Sequence, residues 1–513
     1  MNLVDLVRYW GRWRPDHPAL IFGDETESWR QLDAASDAVA RGLAAQGVRQ
    51  GDRVGLLMGN RPEIAHLALG TLKLGAICVP LNFRLTPTEL VPLVEDCGCR
   101  LVVTEAAFAP LLEIAAKSAD FAIVALDSDD HLPYELLVVE AGAPPDVAID
   151  LDDPAFICYT SGTTGVQKGA VLTHRSVLHP AQAKALAEGL TWRDRMLVAV
   201  PMVFTGAMIS CFMQVAVYLG ATLVLEADFN PDRYLEVIER HRVTAWTSVP
   251  VIWERVALSP GFATRDLSSL VSANVGGAPV RLDLIETFKE RGIPLIQVYG
   301  MTESSGLAAT IRPEDAVHRI GFAGLPIAGT QIRIGAEDGT TLPAGEIGEI
   351  LIRGPHVMRG YWNRPEATAA TIVDGWLASG DRGLQDEEGF LKVVDRTKDM
   401  LISGGINVYP AEIERALSAV DGIVDLAVIG VPDDRWGEVP MVVLHGSRDA
   451  AAMLADIEAI GRADLAGYKR PKYAVVSDEP LPRTFSGKLA KPALRERYRQ
   501  PPPEAIAIFQ SRS

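Results

Sequence analysis

The stretch Tyr159 to Ala170 reads YTSGTTGVQKGA and gathers the groups that could hold a polyanion. Hydroxyls on Thr160, Ser161, Thr163 and Thr164, glycines at Gly162, Gly165 and Gly169 and one cation, Lys168, follow directly on the apolar run Ala155 to Cys158. Glycines let a backbone approach an anion and turn its N–H groups toward it, hydroxyls donate further hydrogen bonds, and lysine supplies positive charge. A strand running into a phosphate-holding loop is expected, with a nucleoside triphosphate as its ligand. A Walker A loop is excluded, because GxxxxGK[ST] needs glycine directly before lysine and Gln167 stands there.

Other groups able to act on such a ligand recur downstream. YGMTES, Tyr299 to Ser304, follows the end of an apolar run, where open α/β sheets place ligands. There the Tyr299 ring can stack on a base beside Gly300, Thr302 can bond a phosphate, and Glu303 can hold Mg²⁺ through a hard oxygen. Gly276-Gly277-Ala278-Pro279 also ends a strand and offers a backbone edge for adenine. In ASGD, Asp381 has a carboxylate that could accept from both ribose hydroxyls, and PLPRTFSGKLAK places Lys488 directly after Ser486-Gly487.

These groups need a scaffold, and the pattern supplies one. Short apolar strands (Ala19 to Phe22, Val54 to Met58, Cys78 to Pro80, Leu101 to Thr104, Ile123 to Leu126) alternate with helical periodicity at Arg30 to Gln46 and Pro62 to Leu74. After the loop the alternation resumes with strands at Leu223 to Leu225, Thr244 to Ser248, Leu270 to Val275 and Leu295 to Val298, and helices at Asp232 to His241 and Leu282 to Arg291. Such alternation predicts two α/β subdomains of parallel βαβ units. From about Gln331 short strands and Gly-rich turns predict a β-rich subdomain, and beyond it a small, separate α+β domain is expected. The boundaries read 1–396 and 397–513.

With 513 residues the chain exceeds one ordinary core. A net charge of −17 disfavours nucleic acid and anionic membrane as partners, so an anionic ligand must meet a local basic patch. The five cysteines are odd in number and lack zinc spacing, which reads as reduced thiols in cytoplasm. No basic segment followed by an apolar one opens the chain, so secretion is not expected. Met196 to Leu225 carries no charge and is long enough to cross a bilayer, but Pro201, Gly206 and Gly220 divide it. A strand, a buried helix and another strand fit better than a membrane span.

Taken in order, the motifs resemble those of the ANL adenylate-forming superfamily, and specifically its acyl-CoA synthetase (AMP-binding) members. The resemblance runs from Tyr159 to Lys491, and the N-terminal pattern is compatible with it. It implies attack of a carboxylic acid on the α-phosphate of MgATP, giving an acyl-adenylate and pyrophosphate, followed by displacement of AMP by a thiol. It also implies that Glu303 and Thr163 serve the metal, that Arg396 contacts the nucleotide near the ribose, and that Lys488 reaches the α-phosphate and the attacking carboxylate. In the family the small domain rotates between the steps. The hinge then falls on Lys398, and Ser403-Gly404-Gly405 comes to the active site, where glycine leaves room for a pantetheine arm.

Gly461 to Gln500 carries ten Lys or Arg against four Asp or Glu. Within and near it, Trp436, Tyr468, Arg470 and Lys472 resemble positions that contact the nucleotide end of coenzyme A, which makes free CoA the expected acceptor. Where many acyl-CoA synthetases have an aromatic residue and then His, this chain has Val203 and Phe204, and no acid between Phe204 and Gln214 awaits an α-amine. Phe204, Ala207, Met208, Trp246, Val249 and Asn274 are the expected acyl pocket. The expectation is a hydrophobic monocarboxylate, medium-chain, alicyclic or aromatic. Alternatives are a carrier-protein thiol as acceptor, a dicarboxylate read by Arg255, and a ligand-binding protein without catalysis, against which Lys168, Glu303, Asp381 and Lys488 argue. The oligomeric state stays open, a homodimer included.

Overall fold

In a computed structural model of the chain, the apolar runs become inner strands of two parallel-centred sheets. The structure describes residues 1–509 apart from 129, 144, 161–166, 199, 278–279, 337, 397–398, 404–405, 434 and 485–487, with the backbone alone at 396 and 407. Contacts divide it into two units. One comprises Met1–Gly277, Leu282–Ile332 and Ile352–Ala378, and the other is chiefly Arg333–Leu351 and the chain from Ser379 onward.

In the first unit, described strands form an eight-stranded sheet in the order Gly360–Tyr361, Lys168–Thr173, Pro154–Thr160, Ile77–Pro80, Arg53–Leu57, Leu101–Glu105, Ala122–Leu126 and Leu132–Pro133. Its core is parallel, as a run such as Leu101-Val102-Val103, buried on both faces, requires. The pair Pro154–Thr160 and Lys168–Thr173 is antiparallel.

A nine-stranded sheet carries Leu295–Tyr299, Ser272–Gly276, Ala245–Ser248, Arg195–Val198 and Thr222–Leu225 side by side and parallel. Helices of this unit are sealed by local chemistry: Ser28 and Gln31 form a reciprocal cap on Trp29–Ala45, and Asn230 accepts from Arg233 N–H before Pro231–His241. The charge-free stretch resolves into the strand Arg195–Val198, a helix over Gly206–Val217 and the strand Thr222–Leu225. That helix is of the wide π type, and from Ala207 to Val217 every residue is buried. Among the described residues no helix is long and apolar enough to cross a membrane.

The second unit pairs Trp376–Gln385 with Leu391–Arg396 through residues 381–385, and then builds a six-stranded sheet. Ile423–Asp433 and Gly437–Gly446 make a long antiparallel hairpin, and helix Ala450–Asp464 crosses to Tyr473–Val476, parallel to the second strand. The small β-rich piece at 333–351 and 379–396 clusters with this C-terminal part rather than with the large N-terminal part.

Candidate active site

The hairpin register places Thr160 opposite Lys168 and Tyr159 opposite Gly169. Position 169 must be glycine, since a Cβ there would come 2.6 Å from Ile157 Cγ2. The Tyr159 hydroxyl donates to Asp96 at 2.8 Å, which moors the strand end before the tip. Ser161, Gly162, Thr163, Thr164 and Gly165 lie outside the described residues.

Lys168 Nζ stands 5.1 Å from the centroid of the Tyr361 ring. The phenol of Tyr361 donates to Glu303 Oε1 at 2.9 Å. One aromatic side chain therefore joins the lysine of the first motif to the carboxylate of the second. Burial and the Glu303 charge both raise the Tyr361 pKa, so the phenol keeps its proton and remains a donor. Its backbone is fixed as well: Tyr361 pairs with Ala170 on the sheet edge, and its N–H donates to Thr368 Oγ1. The sequence reading missed Tyr361. The only signal was its place in GYWN, an uncharged aromatic stretch with no visible partner.

Glu303 is 6 % exposed, on a short 3₁₀ turn Thr302–Ser304 that follows the strand Leu295–Tyr299. Met358 N–H donates to its carbonyl, and the hydroxyls of Thr302 and Thr205 are 3.1 Å apart. Gly300 permits the turn, because a Cβ there would lie 2.4 Å from Gly306 O. Tyr299 is buried. Gly277 has φ +80° at the end of its strand, and Ala278 and Pro279 lie outside the described residues. Among the described residues no three metal-ligating side chains cluster. A divalent cation here would be held by Glu303 together with phosphate oxygens, which suits Mg²⁺ and a hard carboxylate.

Of the expected acyl-pocket residues, Phe204 and Val249 are half-buried, while Ala207, Met208 and Asn274 are buried. Strand register puts Thr247, Asn274 and Ile296 on one face of the nine-stranded sheet and Trp246, Ala273 and Leu295 on the other. Trp246 therefore lies on the face opposite Asn274, and the two cannot line one side of the sheet together. Its ring sits 3.9 Å from Trp253 and edge-on to Tyr234, in an aromatic cluster that reaches Phe288 on the opposite face. Arg255 is exposed and stacks over Phe229 at 5.8 Å, on the helix that covers that same opposite face. Facing Asn274, Lys184 and Glu188 form a buried ion pair at 2.6 Å.

In the second unit Asp381 pairs directly with Arg396, whose side chain is outside the description. Asp395 accepts from Ala411 N–H at the start of helix Pro410–Leu417. Lys491 is half-buried and meets Glu414 at 2.8 Å; loss of water around it pulls its pKa down, but Glu414, Asp395 and Asp399 outweigh this and leave it raised. Arg495 reaches Asp399. The segment that carries Lys488 is thus tied to the residues flanking 397–398. Lys488 itself is half-buried, with its carbonyl accepting from Thr484 N–H. Lys398, Gly404 and Gly405 lie outside the described residues, and Ser403 is buried in a strand.

The expected coenzyme residues differ in availability. Trp436 is 45 % and Tyr468 41 % exposed. Lys472 is paired with Asp433, which also accepts from Arg435 and Trp436 N–H. Arg470 donates from Nε to the carbonyls of Gly461 and Leu465 and from Nη2 to that of Arg462, so part of its guanidinium closes the end of helix Ala450–Asp464.

Residues 7–362 match the AMP-binding enzyme family and residues 412–488 the AMP-binding enzyme C-terminal domain. Similar proteins include a feruloyl-CoA synthase of an Amycolatopsis species, 39 % identical over 95 % of this chain and 97 % of that one. An indoleacetate–CoA ligase of Aromatoleum aromaticum is 38 % identical over 97 % and 98 %. The o-succinylbenzoate coenzyme A synthetase of Bacillus subtilis, solved with ATP and magnesium ion, superposes with a TM-score of 0.86 at 34 % identity, covering 96 % and 99 %. With both domains matched and relatives aligned end to end, the chain belongs to the AMP-binding enzyme family, as an acyl-CoA synthetase of the ANL superfamily.

Proposed function

We propose that this ATP-dependent acid:CoA ligase activates a hydrophobic monocarboxylic acid, medium-chain, alicyclic or aromatic, and passes the acyl group to free coenzyme A. The observation that carries the reading is the Lys168–Tyr361–Glu303 arrangement at the root of the phosphate-loop hairpin. Lys168 meets the β- and γ-phosphates, while Glu303 is the anchor for the cation that offsets phosphate charge. Lys488 stabilises charge developing at the α-phosphorus as the carboxylate attacks. Asp381 and Arg396, paired across two strands, hold the ribose, and the adenine lies along the 276–279 edge beside Tyr299.

The second step uses the small domain after rotation about Lys398, with Trp436, Tyr468 and Lys472 toward the coenzyme's nucleotide end. Thr163 joins Glu303 at the metal, with Ser161, Gly162, Thr164 and Gly165 completing the phosphate loop. The functional boundary falls at 396/397. Relatives acting on ferulate and indoleacetate support an aromatic body, and the exposed placement of Arg255 disfavours a dicarboxylate. All five cysteines are free and buried, which supports a cytoplasmic location.

The test is acid-dependent pyrophosphate release across monocarboxylic, dicarboxylic and amino acids, each with and without CoA. An apolar acid that yields its CoA thioester is the expected result. Pyrophosphate release that never leads to a CoA thioester would assign the acyl group to a different acceptor, such as a carrier protein.

A further inference from the structure

The buried pair Lys184–Glu188 takes no part in the chemistry above, yet it dictates how one side chain of the acyl pocket is presented. The side chains are 3 % and 0 % exposed. Glu188 Oε1 holds Lys184, and Oε2 accepts from Ser272 Oγ and, at 2.9 Å, from Asn274 Nδ2. An ionised carboxylate can only accept, so the amide nitrogen of Asn274 must face it. The amide oxygen is thereby turned away from Glu188, and Oδ1 has no hydrogen-bond partner although the residue is wholly buried.

Asn274 shares its sheet face with Thr247 and, two residues nearer the nucleotide motifs, with Gly276. This is the face that helix Gly206–Val217 covers, and that helix bears a second unpaired acceptor, Gln214 Oε1, its amide nitrogen being given to Ser305 O at 2.7 Å. Protein interiors rarely leave such oxygens unmet, and both can only receive. A plain hydrocarbon body packed against this face would leave them unpaired.

Building on the ligase reading above, we infer that the preferred acid carries a hydrogen-bond donor, O–H or N–H, at the far end of its apolar body, and that Asn274 Oδ1 receives it. Asn274 is then a specificity residue, positioned by Glu188. An acid without the donor leaves a buried acceptor unmet in the complex, and a site built around one such bond rejects the analogue that lacks it.

Matched acids of graded length test this with the full chain: 4-hydroxyphenyl alkanoates against phenyl alkanoates, and ω-hydroxy against unsubstituted straight-chain acids, followed by pyrophosphate release. At one length the donor acid exceeds its partner by about tenfold or more in kcat/KM. The arm in which this occurs tells a phenol from an alcohol. In Asn274→Leu the ratio falls toward one, and Asn274→Ser, which retains a donor for Glu188, shows the same loss if the leucine variant does not fold. Equal turnover of donor and plain acids at every length, or a ratio that survives in Asn274→Ser, overturns the inference while leaving the ligase reading intact. If no acid of any kind releases pyrophosphate, both fall together.

Discussion

Tyr361→Phe removes one oxygen and nothing else, which makes it the sharpest probe of how the nucleotide site is held. The lost bond is the 2.9 Å contact from the phenol to Glu303, a carboxylate only 6 % exposed. Hydrogen bonds to charged groups contribute about 1.5–3 kcal/mol, or about ten- to a hundredfold in a rate or binding constant. A bound cation would satisfy part of what Glu303 loses, so the low end applies: about a tenfold fall in kcat/KM for MgATP, with a raised half-saturating Mg²⁺. The ring remains under Lys168, 5.1 Å from Nζ, whereas Tyr361→Leu removes that contact too and should cost more. Initial-rate pyrophosphate release over a Mg²⁺ series, with ATP affinity by calorimetry, reads both effects. A phenylalanine variant within twofold of wild type at every Mg²⁺ concentration would refute the claim that Tyr361 positions Glu303.

Lys488→Ala should slow adenylation by about two to three orders of magnitude, the scale for losing a transition-state donor, while thioester formation from preformed acyl-adenylate survives. Equal loss in both half-reactions would sink the domain-rotation account. Phe204→His should alter acid preference more than apparent ATP affinity; an effect confined to ATP would remove Phe204 from the pocket. Burial depresses the His174 pKa to about 4, and burial with His179 nearby depresses that of His356 to about 3. Both sites lie below the ordinary unfolded value, so the unfolded chain takes up protons first, and stability falls as pH drops from about 6.5 toward those values, by up to about 1.4 kcal/mol per pH unit per site. Urea midpoints between pH 7 and 5 should therefore decline less steeply in His356→Gln; an unchanged slope would contradict the sign.

Most of the architecture was legible because parallel strands bury both faces and read as bare apolar runs, as at Leu101 to Thr104 and Leu223 to Leu225. The charge-free stretch resolved as strand, buried helix and strand because Pro201, Gly206 and Gly220 mark its breaks. Its π winding was not visible, since an all-apolar segment has no polar period to measure. The nucleotide motifs were readable because each is local in the sequence. The sharing of a face was not: Trp246 and Thr247 are neighbours in the chain but face opposite sides of a sheet, and only the register decides which lies beside Asn274. Lys184 and Glu188, four apart on a helix, look like an ordinary surface pair, and only tertiary packing makes them a buried one. Resemblance likewise places Arg470 at the coenzyme but does not show that part of its guanidinium closes a helix end.

The most direct test of the central claim is a single-turnover experiment in two additions, followed by mass spectrometry. Enzyme, MgATP and an active acid are combined first without CoA, and CoA is added once pyrophosphate release has levelled. The account predicts an enzyme-bound acyl-adenylate in the first phase, then its stoichiometric conversion to acyl-CoA and AMP on addition of the thiol. Thioester appearing with no acyl-adenylate ever formed, or an acyl-adenylate that CoA leaves untouched, would contradict it.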